Sequence, residues 1–154
     1  MAGGCFWCLD AWFRTVRGVL HVESGYTGGH TPNPDYYQVC DGHSGHAEAV
    51  AVVYDPAIIS ADVILDMFFV MHDPTTLNRQ GNDVGTQYRS ALFPRFAAQN
   101  EVMQAAIDRN QELWDKPIVT TIEPLTAWHP AEHKHHYYYA NHPEASYCQV
   151  IINP

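Results

Sequence analysis

The chain is short of basic residues. Eight lysines and arginines stand against seventeen aspartates and glutamates in 154 residues, a formal net charge of −9. A nucleic-acid binder needs a basic stripe to displace phosphate counterions, so the balance argues against that class. Long apolar runs are also missing: nothing approaches the ~18 residues of a membrane span. The opening Met-Ala-Gly-Gly-Cys has neither a charged segment nor an apolar stretch, so no secretory leader is visible. The cytoplasm is therefore the expected compartment. The four cysteines, Cys5, Cys8, Cys40 and Cys148, lack the paired spacing of a zinc knuckle. In a reducing compartment such thiols are more often catalytic or metal-bound than structural. No repeat or low-complexity linker divides the chain, and its length suits one catalytic domain over 1–154.

What is present alternates between helix and strand patterns. Leu9, Trp12, Phe13 and Val16 fall at i, i+3, i+4 and i+7, which predicts an amphipathic helix stopped by Gly18. Cys5 then sits at its start. Residues 25–44, rich in Gly, Pro, Asn, Asp and aromatics, read as a long ordered loop, and such loops are usually functional. Residues 46–55 alternate and are rich in valine, a strand pattern. Ser60 caps a helix whose body, VILDMFFVM, is apolar nearly all round and so reads as buried. A second polar loop spans 72–90, ALFP suggests a short strand, 97–114 a helix and IVTTIEPL a strand. The whole predicts an α+β fold in two layers, helices packed on a small mixed β-sheet.

The opening GGCFWCLDAWF poses the chemical question. A thiol at a helix N-terminus sees the positive end of the dipole and unpaired N–H groups. Both favour the thiolate, which is the nucleophile. Cys5 meets that condition, and its two preceding glycines allow close approach. Cys8 lies one turn further in and reads as a packed helix-face residue, although a local Cys5–Cys8 disulfide is a rival the spacing permits. Cys40 reads as a small buried hydrophobe. Phe6 and Trp7 are either core or an apolar cage beside the nucleophile, suited to a small sulfur-bearing group.

Three long stretches, GGCFWC, GYTGGHTPNPDYYQVCDGHSGHAEAVAVVYDP and HDPTTLNRQGNDVGTQYRSALF, together with AEHKHH and YC near the end, resemble the A-type peptide methionine sulfoxide reductases. The resemblance implies a ferredoxin-like core and reduction of methionine S-sulfoxide, free or in oxidised proteins. It implies Cys5 as the thiol that attacks the sulfoxide sulfur, and Phe6 and Trp7 as the pocket for the substrate methyl group. Tyr36, Glu48, Asp83 and Tyr88 match further site positions, as do Ala131, Glu132, His135 and Tyr138 in an A-E-x-x-H-x-x-Y pattern. Cys148 matches the thiol that resolves the Cys5 sulfenic acid to a disulfide, with thioredoxin (or dithiothreitol in vitro) as reductant and no bound cofactor or metal. The residue types suit these roles. Hydroxide leaves poorly, so a carboxylic acid of raised pKa, Glu48, is needed to protonate the oxygen. Tyr36 and Tyr88 can hydrogen-bond that oxygen. The family also carries a strand just before this motif. Four residues leave little room for it, so a sheet lacking its usual first strand is expected.

Rival readings come from other classes. His133, His135 and His136 could hold a metal. A thioredoxin-like dithiol protein would use Cys5 and Cys8, but needs a preceding strand unit. A peptide-binding module would leave Cys5 idle.

Overall fold

A computed structural model describes residues 1–135 of the chain. Two expected site residues, Tyr138 and Cys148, lie outside the described residues. The elements run β1 (Ala2–Gly3), α1 (Phe6–Arg14), β2 (Val19–Thr27), α2 (Tyr36–Cys40), β3 (Ala47–Tyr54) and α3 (Ala61–Met71). There follow β4 (Arg79–Gln80), β5 (Asp83–Val84), β6 (Ser90–Leu92), α4 (Ala98–Asn110), β7 (Thr121–Ile122) and β8 (His129–Pro130). Short 3₁₀ turns lie at Thr86–Tyr88, Gln111–Leu113 and His133–His135. The architecture is the expected α+β mixture.

β1 does exist, against the expectation that this strand would be absent. It is two residues long and pairs antiparallel with β6, Ala2 opposite Ala91 and Gly3 opposite Ser90, while β6 runs parallel to β7. A second sheet is antiparallel, in the order β3-β2-β8. Met1 joins the two sheets. Its nitrogen donates to Val50 O and its carbonyl accepts from Val50 N–H, each at 2.9 Å. The strand is retained because backbone hydrogen bonding and a cramped site fix it. At Gly4, φ is +91° and an added Cβ would lie 2.7 Å from Gln80 Cγ. Only glycine turns the chain there from β1 into α1.

The core lies between α1, the β2–β3 pair and α3. Phe6, Leu9 and Phe13 of α1, Val22 and Tyr26 of β2, and Phe68 and Phe69 of α3 are buried in one cluster. Each large apolar side chain so buried contributes roughly 2 kcal/mol. Ser60 caps α3 by accepting from Val63 N–H at 3.2 Å. The expectation that α3 is buried all round fails, however. Ile64, Leu65, Phe68 and Phe69 face inward, whereas Val63 and Val70 are exposed. Hydrophobicity alone does not say which face has a neighbour; here Asp66 turns outward to meet Arg109 and Asn110 of α4.

The stretch 25–44 is not one loop. β2 continues to Thr27, and α2 forms a single capped turn and a half within it. Asp35 accepts from Gln38 N–H at 2.8 Å, and Gln38 Oε1 accepts from Asp35 N–H at 2.9 Å, a reciprocal capping box. The segment 72–90 likewise holds a small hairpin, β4–β5, and the turn that carries Tyr88.

Candidate active site

Cys5 is the residue from which α1 starts. Its backbone is extended (φ −63°, ψ 126°) and no local side chain caps the helix. The first orphan amide of α1, Phe6 N–H, is taken by Glu48 Oε1 at 3.1 Å. Glu48 reaches it from β3, where it stands opposite Tyr26 of β2. The sheet thus places a carboxyl group against the helix end that Cys5 begins.

Glu48 is 1% exposed. Burial pushes its pKa up from the usual value near 4.5 to about 8; the Phe6 N–H bond opposes the rise, while the charges of Asp83 and Cys8 add to it. At neutral pH the group is mainly a carboxylic acid. Its Oε1 is engaged as an acceptor, which leaves the second oxygen to carry a proton.

Tyr36 and Tyr88 lie around this acid. Burial is the main cause that holds both phenols above their ordinary range. Cys40 and Glu48 add to the effect on each, and Asp83 and Cys5 on Tyr88. Both therefore keep their O–H as donors. Asp83 belongs to the same cluster, because its charge bears on Glu48 and Tyr88. Arg89 holds the Tyr88 turn in register. It donates to Thr86 O, to Gly45 O ahead of β3 and to Gly28 O after β2, and pairs with Glu123.

An aromatic box stands beside Cys5. The Trp7 ring is stacked on Tyr36 at 6.3 Å and on His135 at 5.8 Å, and the His135 ring lies 4.5 Å from Tyr36. Trp7 Nε1–H donates to His135 Nδ1 at 3.3 Å. Phe6 is buried behind them, 5.7 Å from Tyr26 and 5.6 Å from His135. Phe6 therefore backs the box, and Trp7, half-buried, forms its wall.

Glu132 fastens the far side. Its carboxylate accepts from Tyr26 O–H at 3.0 Å and from Tyr36 N–H at 3.1 Å. Burial alone would raise its pKa, but its own backbone N–H, these two donors and His135 together hold it below the ordinary value. Glu132 is thus a carboxylate while Glu48 is an acid.

The arrangement joins a helix-start thiol, a buried carboxylic acid, two phenol donors and an apolar aromatic box. It suits attack on sulfur with protonation of a leaving oxygen. A match to the family described as peptide methionine sulfoxide reductase extends over residues 1–154. The chain belongs to the peptide methionine sulfoxide reductase family.

Its likeness to members of that family is high. The chain is 62% identical to a peptide methionine sulfoxide reductase MsrA of Pseudarthrobacter chlorophenolicus, over all of this chain and 88% of that protein. The fold superposes on reduced Mxr1 from Saccharomyces cerevisiae with a TM-score of 0.90, at 35% identity, over 96% of this chain and 86% of that one. A structure of Mxr1 in complex with Trx2 superposes with a TM-score of 0.63, at 26% identity, over 89% of this chain and 80% of that one.

Within this reductase the described residues expected at the site, Cys5, Phe6, Trp7, Tyr36, Glu48, Asp83 and Tyr88, come together. Cys8 is buried on α1, as its reading as a packed residue requires. Cys40 is a correction. It is half-buried rather than fully buried, one helical turn from Tyr36. Burial pushes its thiol up, and hydrogen bonds with Tyr36 and Tyr88 oppose the rise. Sequence reasoning gave no role to Glu132 or Tyr26, and offered His135 only as a candidate metal ligand. The A-E-x-x-H pattern named Glu132 and His135, but only the fold shows what they hold. Among the described residues no three His, Cys, Asp or Glu side chains group as a metal site. His135 is buried in the box while His133 is exposed.

Proposed function

We propose that this reductase converts the S form of methionine sulfoxide to methionine through a sulfenic acid on Cys5. The Cys5 thiolate attacks the sulfoxide sulfur while the substrate methyl group rests against Trp7, over Phe6. Glu48 gives its proton to the sulfoxide oxygen, and Tyr36 and Tyr88 donate hydrogen bonds to it. The attack forms a sulfur–sulfur bond to Cys5; the protonated oxygen then passes from the substrate sulfur to Cys5 Sγ as that sulfur–sulfur bond breaks, so methionine leaves and Cys5–SOH remains. Glu48 is left as the carboxylate. The Cys148 thiol then condenses with the sulfenic acid, giving a Cys5–Cys148 disulfide and water. Reduced thioredoxin takes up that disulfide by thiol exchange and becomes oxidised. Asp83 takes part in substrate binding, as does Tyr138, which lies outside the described residues.

The observation that carries the chemistry is the Glu48 carboxyl group, buried and bound at 3.1 Å to the helix end that Cys5 begins. The Mxr1–Trx2 complex supports thioredoxin as the donor. The test is turnover of the separated S and R epimers of a blocked methionine sulfoxide, first with dithiothreitol and then with thioredoxin. S-selective turnover that disappears in Cys5→Ser is expected. Cys148→Ser should fail with thioredoxin alone. Equal turnover of both epimers, or an active Cys5→Ser variant, overturns the reading.

A further inference from the structure

Tyr37 follows Tyr36 in α2 but points elsewhere. Adjacent helix residues are turned about 100° apart, so one faces the site and the other leaves it. Tyr36 enters the aromatic box; Tyr37 is 73% exposed. Its ring still meets Tyr36 edge-on, with centroids 6.0 Å apart. The Lys134 ammonium stands over the Tyr37 face, 5.6 Å from the centroid. Lys134 immediately precedes His135, which lies against Tyr36 inside the box. An exposed aromatic face and a cation thus continue the wall of the site outward to solvent.

Arg14, Arg89 and Arg109 are each paired with a carboxylate. Lys134, like Arg17, Arg79, Arg95 and Lys116, enters no ion pair among the described residues, but it stands beside the box, next to His135, in a chain of net charge −9. The Glu132 carboxylate lies at the edge of the box, while Glu48 beneath it is kept in its neutral acid form. A carboxylate brought into this region meets the Glu132 carboxylate at the box edge and the Lys134 ammonium outside it.

We propose that Tyr37 and Lys134 form a shelf for the residues flanking a protein-bound methionine sulfoxide, and that the shelf favours an acidic side chain next to the sulfoxide. The inference rests on the reductase reading above and specifies which protein substrates it takes. The backbone beside the sulfoxide lies on the Tyr37 ring, and a neighbouring Asp or Glu reaches the Lys134 ammonium.

The experiment uses the whole chain and measures kcat/KM for blocked peptides containing one S-sulfoxide. The residue before it, or after it, is Glu, Gln or Lys. N-acetyl-methionine S-sulfoxide amide, which has no flanking side chain, serves as the control substrate. At one of the two positions the wild type should favour Glu over Lys by about two- to fivefold, the range of an exposed ion pair. High salt should erase that preference. Lys134→Glu should invert it. Tyr37→Ala should lower kcat/KM for every peptide by about threefold, the range of an exposed aromatic contact, and leave the control unchanged. Turnover of the control with no peptide preference at either position overturns the shelf alone. So does a Glu preference that survives Lys134→Glu. If the wild type fails on the control itself, the reductase reading falls, and the shelf with it.

Discussion

Replacing Glu48 by Gln should slow the enzyme and stabilise the fold together, because one property of the group causes both. Gln keeps a carbonyl oxygen to accept from Phe6 N–H, so the cap on α1 survives. It cannot give a proton to the sulfoxide oxygen, and loss of such a donor costs about 10²- to 10⁴-fold in rate. The stability change follows from linkage. Burial raises the folded-state pKa of Glu48 from near 4.5 to about 8. Between those values the folded state binds more protons than the unfolded state, so the wild type loses stability as pH rises through that window. At 1.36 kcal/mol per pH unit, the loss at pH 8 is about 4 kcal/mol. Gln carries no such charge, so Glu48→Gln should exceed the wild type at pH 8 by an amount of that order and match it near pH 4. Urea unfolding at the two pH values measures the stability. Single-turnover release of methionine without reductant measures the chemical step, whose high-pH limb near 8 should vanish in the variant. A variant as fast as wild type would falsify the acid role. Equal destabilisation at both pH values would refute the burial argument.

Asp83→Asn should move the wild-type high-pH limb to lower pH, because the Asp83 charge helps to hold Glu48 up; an unmoved limb would separate the two groups. Trp7→Ala should raise KM about tenfold and lower kcat less, since a wall of the methyl pocket is lost rather than a reacting group. A pure kcat effect, read from initial rates, would contradict that. His72 gives a stability window on the acid side. It is buried, its two ring nitrogens meet Phe68 O and Ser90 Oγ, and burial lowers it from 6.5 to about 4. The unfolded state therefore binds more protons between pH 6.5 and 4, and about 3 kcal/mol is lost as pH falls through that window. His72→Gln should flatten this slope in urea titrations; an unchanged slope would assign it to other groups.

Much of the site was legible because its residues sit in local patterns. The alternation of 46–55 marks β3, and the Cys5 helix start follows from the 3.6-residue spacing that begins at Leu9. What the pattern could not show is contact across the chain. Glu132 bonds to Tyr26 and Tyr36, 106 and 96 residues away. No local period encodes those distances. β2 was missed because its residues 25–27 carry the glycine and polar signals of a loop; its pairing with β3 and β8 overrides them. The helical turn of α2 was missed among prolines and asparagine, although Asp35 and Gln38 carry its capping box. IVTTIEPL reads as a full strand, but only Thr121–Ile122 pairs with β6.

The two carboxyl groups nearest the box show how position sets protonation. Glu48 and Glu132 are the same residue type. Glu48 receives one backbone donor and the repulsion of Asp83 in full burial, so the acid form prevails at neutral pH. Glu132 receives its own amide, the Tyr36 amide, the Tyr26 phenol and His135, so the charged form prevails. Depth of burial separates them first, and donor number second. The separation has a mechanistic consequence. Attack by a thiolate on a sulfoxide builds negative charge on oxygen, and a site already holding a charged Glu48 would oppose it. Keeping Glu48 neutral until the oxygen takes its proton, with Tyr36 and Tyr88 also neutral donors, removes that opposition. The charge appears on Glu48 only after methionine has formed. A proton must therefore return to Glu48 before the next turnover, and above pH 8 that return becomes unfavourable. The same pKa thus governs both the chemical step and the recovery of the enzyme.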